Sequence, residues 1–204
     1  SLLLRFYAVE QGCVTIDGVE IGQFSHDHFR AAVGYVPQDP FLLAASVREN
    51  ISMGRDLSQD AIETAAKAAH CHDFIQKLEN GYECVLGEGG ARLSVGEKQL
   101  IAIARALAGQ PRILFLDEAT AHIDSATEQI VQLALSELRG QVTVVAVAHR
   151  LSTIRNADAI MVLNHGRVHE QGTHEDLMRI DRGVYQRLYL LQQMGELAST
   201  AKCA

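Results

Sequence analysis

No apolar run in this sequence approaches the roughly 20 residues that a helix needs to cross a bilayer, and the first residues lack the charged, apolar and cleavage regions of a secretory signal. Basic residues are in the minority. Lysine and arginine total 18 against 25 aspartates and glutamates, a formal net charge of -7. That balance argues against an extended footprint on a phosphate backbone, because nucleic-acid binders usually carry a basic face, and no nucleic-acid partner is expected. Cysteine is sparse and scattered: Cys13, Cys71, Cys84 and Cys203 include no C-x-x-C pair. Reduced thiols therefore fit better than a disulfide framework. Repeats, low-complexity tracts and a Gly/Ser/Pro linker are also missing, which leaves 204 residues for one domain, or for a core with an inserted subdomain.

What is present concentrates in residues 93–124, LSVGEKQLIAIARALAGQPRILFLDEATAHID. Ser94 and Glu97 have the S-x-x-E spacing of a capping box, so a helix starts at Ser94. Its N-terminus carries partial positive charge, and Gly96 removes bulk there, which suits the approach of a phosphate. The helix is expected to end near Gly109 and Pro111. Residues 113–116, Ile-Leu-Phe-Leu, then read as a strand buried on both faces of a parallel sheet. Asp117 and Glu118 follow at its C-terminal end, the edge at which open α/β sheets bind ligands. As adjacent strand residues they would point oppositely, one carboxylate to a metal and the other to a reacting centre.

Around this stretch the chain alternates strand and helix signals. Residues 1–7 read as the apolar end of a helix. Residues 12–22 alternate about Asp17-Gly18, a hairpin turn dipeptide. Residues 32–36 form a further strand candidate, ended by Pro37. An amphipathic helix with Ile62, Ala65, Ala66 and Ala69 on one face is expected within 58–78 and opens a helical subdomain. Residues 142–148 (VTVVAVA) and 159–163 read as buried strands, with Asn164-His165-Gly166 a turn and 167–171 a return strand. Thr173 opens a last helix. His26-Asp27-His28 and His70-Cys71-His72-Asp73 set metal-ligand types close together, but neither forms a recognisable zinc pattern, and no zinc site is expected.

Three motifs in order carry a resemblance. LSVGE looks like the signature of ABC-transporter ATPases, ILFLDEAT resembles their Walker B strand, and AHID is similar to the D-loop that follows. The resemblance implies an α/β fold: a RecA-like P-loop NTPase core with a mostly parallel sheet, an inserted helical subdomain and an N-terminal β-hairpin region. The expected division is a core of 1–56 and 111–176, a helical subdomain of 57–110, and a C-terminal helix and tail of 177–204. It further implies ATP and Mg²⁺ as cofactors, with Asp117 and Gln38 (the Q-loop) on the metal, Glu118 as general base and His149 (the H-loop) bridging terminal phosphate and water. Ser94, Gly96, Glu97 and Asp124 would contact nucleotide across a dimer with a second ATPase domain. Glu88 matches a glutamate-containing loop of exporters. Residues 41–50 (FLLAASVREN) resemble the segment by which exporter ATPases meet their membrane domain, with plain core packing as the competing account. GTHEDL near the C-terminus is also of exporter type.

The departures are Val95, Glu97 and His122 at motif positions. Glu97 would add negative charge beside a polyphosphate unless its carboxylate stays committed to the helix cap, and weaker nucleotide contact is expected. No G-x-x-x-x-G-K-[ST] phosphate loop occurs in the sequence. The family has one just ahead of a helix like residues 1–7, so the chain reads as an ATPase domain cut after that loop, inactive by itself. The expected parent is an exporter of drug- or lipid-like compounds at the cytoplasmic face of the plasma membrane, most like bacterial multidrug-exporter-like half-transporters. A non-catalytic subunit of a heterodimeric transporter and a soluble ABC ATPase are the alternatives.

Overall fold

In the computed structural model, which describes residues 1–119, 123–148 and 150–200, residues 1–7 contain no helical run. They make the turn that closes one. Phe6 N donates to Ser1 O (3.1 Å) and Arg5 N to Leu2 O (3.0 Å), with Arg5 left-handed at φ 58°. This pair of bonds is a Schellman cap, so the helix-end reading is met in its closing turn alone.

The described residues divide into two units, one of 1–119 and 123–145, the other beginning at 146. In the first, β1 (Thr15–Ile16) and β2 (Val19–Glu20) pair antiparallel around Asp17 and Gly18, both at positive φ, as the dipeptide predicts. Helix α1 (His26–Ala32) leads into β3 (Val33–Val36), and α2 (Val47–Ser52) follows under a Ser46/Glu49 capping box. The single helix expected within 58–78 is two, α3 (Gln59–Ala68) and α4 (His72–Lys77). A second Schellman cap divides them: Cys71 N donates to Ala66 O and His70 N to Lys67 O, with His70 at φ 53°. Ala66 and Cys71, the two positions that such caps commonly bring into apolar contact, are both fully buried. Burial also pushes the Cys71 thiol up to about 12. Cys13, Cys71 and Cys84 are all free thiols.

Helix α5 (Val95–Leu107) starts where Ser94 predicts and is the core of this unit. Leu100, Ile101, Ala102, Ile103 and Ala104 are all buried. It leads into β4 (Ile113–Asp117). A helix that the motif reading passed over, α6 (Ser125–Glu137), then buries Val131 and Ala134 at helical spacing. The third strand, β5 (Thr143–Val147), completes the order β3-β4-β5. Thr143 N donates to Arg112 O (2.9 Å), so β5 sets off from the edge at which β4 begins. Its expected continuous burial is corrected: Val145 and Val147 are exposed on one face. β-branched residues favour a pleated backbone whether one face or both are covered.

In the second unit β6 (Ile160–Asn164) and β7 (Arg167–Gly172) form an antiparallel hairpin turned at His165 and Gly166, both at positive φ. Here too a buried strand was expected, and only Ile160 of β6 is buried. Strand alternation sends Met161 and Leu163 to the open side of the hairpin. Thr173 opens α7 (His174–Met178), and α8 (Val184–Thr200) is separate from it. The Glu170 carboxylate accepts from Val184 N (2.6 Å) and Tyr185 N (3.0 Å), giving α8 its own start. Leu151, Ile160, Leu177 and Tyr185 form the core of this unit.

Candidate functional site

Strands β3 and β4 run parallel with Val36 opposite Leu116. Both therefore end at one edge, which brings Gln38, Asp117 and Glu118 to the carboxyl ends of neighbouring strands. Asp117 is the last residue of β4 and is exposed. One of its carboxylate oxygens lies 3.5 Å from the Tyr35 hydroxyl, a donor that no sequence motif pointed to. Burial, and then the Asp117 charge, push the Tyr35 hydroxyl above its ordinary value. Glu118 has left the strand: its φ of 45° is left-handed. Its separation from Asp117 thus comes from a backbone turn and not from strand alternation, a correction to the expected geometry. Bulkier residues than glycine rarely hold this conformation unless the surroundings impose it, and such positions cluster at active sites.

Asp117 offers exposed hard oxygen and Gln38 is exposed two residues past β3, a donor set that suits a hard divalent cation. Among the described residues no group of three or more His, Cys, Asp and Glu side chains converges. A cation here would take its remaining ligands from water and phosphate, as small hard cations do in nucleotide sites. His149 lies outside the described residues, as does His122.

The second grouping surrounds the start of α5. Ser94 Oγ accepts from Glu97 N (3.2 Å) and donates to Glu97 Oε2 (2.9 Å), and Ser94 N donates to the same oxygen (2.8 Å). Glu97 is thus committed to the cap. Gly96 departs from expectation, because the space beside it is filled: a Cβ there would sit 2.3 Å from Thr127 Cγ2. Its missing side chain serves the contact between α5 and α6. Asp124 caps α6, its carboxylate accepting from Ala126 N (3.1 Å), Thr127 N (2.9 Å) and Thr127 Oγ1 (2.7 Å). The Thr127 hydroxyl is the main cause holding the Asp124 carboxyl below the usual range. Thr127 thereby links Asp124 to Gly96, and sequence spacing gave no sign of it. Glu88 is exposed in a single 3₁₀ turn, Glu88–Gly90.

Residues 41–50 are packed into the core in part. Leu42 and Val47 are fully buried, whereas Phe41 is 64% exposed and Leu43 36%. Two polar side chains shape the segment. Buried Asn50 accepts from Leu43 N (2.8 Å) and donates to Leu43 O (3.1 Å) and Ser46 O (3.0 Å). Arg105, from α5, donates to Asn50 O (2.7 Å), Phe41 O (2.8 Å) and Asn50 Oδ1 (3.1 Å). Burial, and then the charge of Arg55, lower the Arg105 value. The helix that begins at Ser94 and the segment ending at Asn50 are thus tied by side-chain bonds.

Comparison with known proteins bears on this arrangement. The family profile described as ABC transporter matches residues 1–121. An ABC transporter ATP-binding protein of Streptococcus pneumoniae, exp8, is 44% identical over 200 residues, covering 98% of this chain and 34% of its own length. ABC transporter B family member 15 of Arabidopsis thaliana is 47% identical over 195 residues, 95% of this chain and 16% of that protein. A solved bacterial Atm1-family ABC exporter with ATP bound superposes with a TM-score of 0.86 at 44% identity, covering 94% of this chain and 33% of that one. The chain spans about a third or less of the length of these relatives.

Proposed function

The chain belongs to the ABC transporter family as an ATP-binding domain of exporter type, and from that premise we propose that it binds Mg-ATP at the carboxyl edge of β3 and β4 and hydrolyses it to power export by a longer membrane protein. The parallel register that brings Gln38, Asp117 and Glu118 to one edge carries this reading. Asp117 and the Gln38 carbonyl hold Mg²⁺. When bound, the ion neutralises charge on the nucleotide phosphates. Glu118, turned out of the strand, takes the proton of the attacking water, and His149 bridges that water and the terminal phosphate. Ser94, with Glu97 and the Asp124 turn beside it, meets nucleotide held by a second ATPase domain. The exposed side chains of Phe41 and Leu43 meet a membrane domain on the same polypeptide, which puts the chain at the cytoplasmic face. Residues 1–56 and 111–176 act as the core, 57–110 as the helical subdomain and 177–204 as the C-terminal part. The transported compound is of drug or lipid type.

The test is Glu118→Gln in the full exporter. Steady-state ATPase should fall by ~10²–10⁴-fold, the usual contribution of a positioned base, while ATP still binds. Turnover at the unaltered rate would refute the role of Glu118.

A further inference from the structure

We propose that Glu97 holds the Ser94 hydroxyl in reserve, so that it sets how much nucleotide is needed to close the site at the start of α5. The inference rests on the reading of Ser94 given above. A serine hydroxyl has a single hydrogen. Here that hydrogen goes to Glu97 Oε2 (2.9 Å), the same oxygen that accepts from Ser94 N (2.8 Å). A phosphate oxygen arriving at this helix end must take the hydrogen from a carboxylate that then faces an anion with one donor fewer. The helix terminus attracts the phosphate, and Glu97 competes for the same groups with the same sign of charge. Asp124 adds to the opposition. It stands on the α6 side of Gly96, joined to it through Thr127.

Glutamine at position 97 separates these effects. Its carbonyl oxygen still accepts from Ser94 N, so the cap survives. It is neutral, so the bond that the same oxygen accepts from the Ser94 hydroxyl is no longer charge-assisted, and the hydrogen passes to the incoming phosphate at lower cost. The cap should become no stronger while closure becomes easier, and these opposite signs distinguish the proposal from a purely structural role.

The experiment titrates Mg-AMP-PNP into the full exporter and follows closure of its two ATPase domains by the distance between spin labels. Four proteins are compared: the parent, Glu97→Gln, Ser94→Ala and the double variant. Glu97→Gln should lower the half-saturating concentration about tenfold, the worth of roughly one charge-assisted hydrogen bond. Ser94→Ala should raise it, and in that background the gain from Glu97→Gln should shrink by about half or more, since no hydroxyl remains to give up and only the lost charge contributes. The urea midpoint of Glu97→Gln should not exceed that of the parent. An unchanged or higher half-saturating concentration for Glu97→Gln, or the same gain without the Ser94 hydroxyl, overturns the proposal. Closure by Ser94→Ala at the parent's concentration overturns the reading of Ser94 instead. Should Glu97→Gln fold poorly, Glu97→Met, which is neutral and leaves the hydroxyl free, carries the same comparison.

Discussion

An alanine at position 96 would place a methyl carbon 2.3 Å from Thr127 Cγ2, 2.8 Å from its Cβ and 2.9 Å from its Oγ1. Carbon atoms pack best at about 3.5–4.0 Å, so one side must yield. Gly96 is not among the residues at positive φ. On helix propensity alone, alanine would stabilise by up to about 1 kcal/mol. Thr127 decides the sign. Its hydroxyl donates to Asp124 Oδ2 (2.7 Å) and its N–H to Oδ1 (2.9 Å), so moving it disrupts the cap of α6. Loss of such a cap costs about 0.5–2 kcal/mol, and forcing an extra methyl into a packed contact about 1–3 kcal/mol. After the propensity gain, a net loss of about 2 kcal/mol is expected, which lowers Tm by roughly 4–8 °C at this chain length. Calorimetry on Gly96→Ala, Thr127→Ser and the pair tests the argument. Serine removes the nearest carbon and keeps the capping hydroxyl, so the alanine penalty should fall by about half in that background. A Gly96→Ala protein as stable as the parent, or a penalty unchanged in the Thr127→Ser background, would refute the account of Gly96.

Two further outcomes follow from side chains committed to backbone groups. Asn50→Leu leaves Leu43 N–H without its acceptor, while Leu43 O and Ser46 O keep their bonds from Ala45 N and Asn50 N, so a loss of about 1–3 kcal/mol is expected for the one orphaned group; hydrogen exchange at Leu43 should accelerate, and retained protection would contradict the role of Asn50. The Asp124 carboxyl is depressed in the folded chain, chiefly by the Thr127 hydroxyl, so its contribution is present above the unfolded value and drains away as pH falls through the folded one. Asp124→Asn should therefore give a shallower loss of stability on acidification below the ordinary carboxylate range, and acid-unfolding curves of equal slope would exclude this linkage.

Local chemistry with a fixed spacing was legible in the sequence. Ser94 and Glu97 form the capping box that their spacing predicts, Asp17-Gly18 turns a hairpin, and the apolar run before Asp117 is the strand β4. What escaped depends on partners distant in sequence. Thr127 explains Gly96 across 31 positions, Tyr35 approaches Asp117 across 82, and Arg105 reaches Phe41 across 64. No periodicity encodes such pairs. The divided helix escaped for a different reason: His70 holds a left-handed cap where glycine would have announced one, and Glu118 leaves its strand in the same way. His149 was assigned from the resemblance and lies outside the described residues.

The bonds from Arg105 to Asn50 and Phe41 have a bearing on how the chain acquires its shape during synthesis. Arg105 follows Asn50 by 55 residues and Phe41 by 64. At about 5–20 residues per second a ribosome needs several seconds to cover that interval. Throughout it the backbone of residues 41–50 has Asn50 to brace it but not its guanidinium clasp, while α3 and α4 can already coil from neighbouring contacts. Closing so long a loop is entropically unfavourable, though the penalty grows only slowly with length. The segment with exposed Phe41 and Leu43 consequently sets only after α5 has been made. In that interval a chaperone has its opening to cover those side chains, and a nascent chain stalled before residue 105 would display them unbraced.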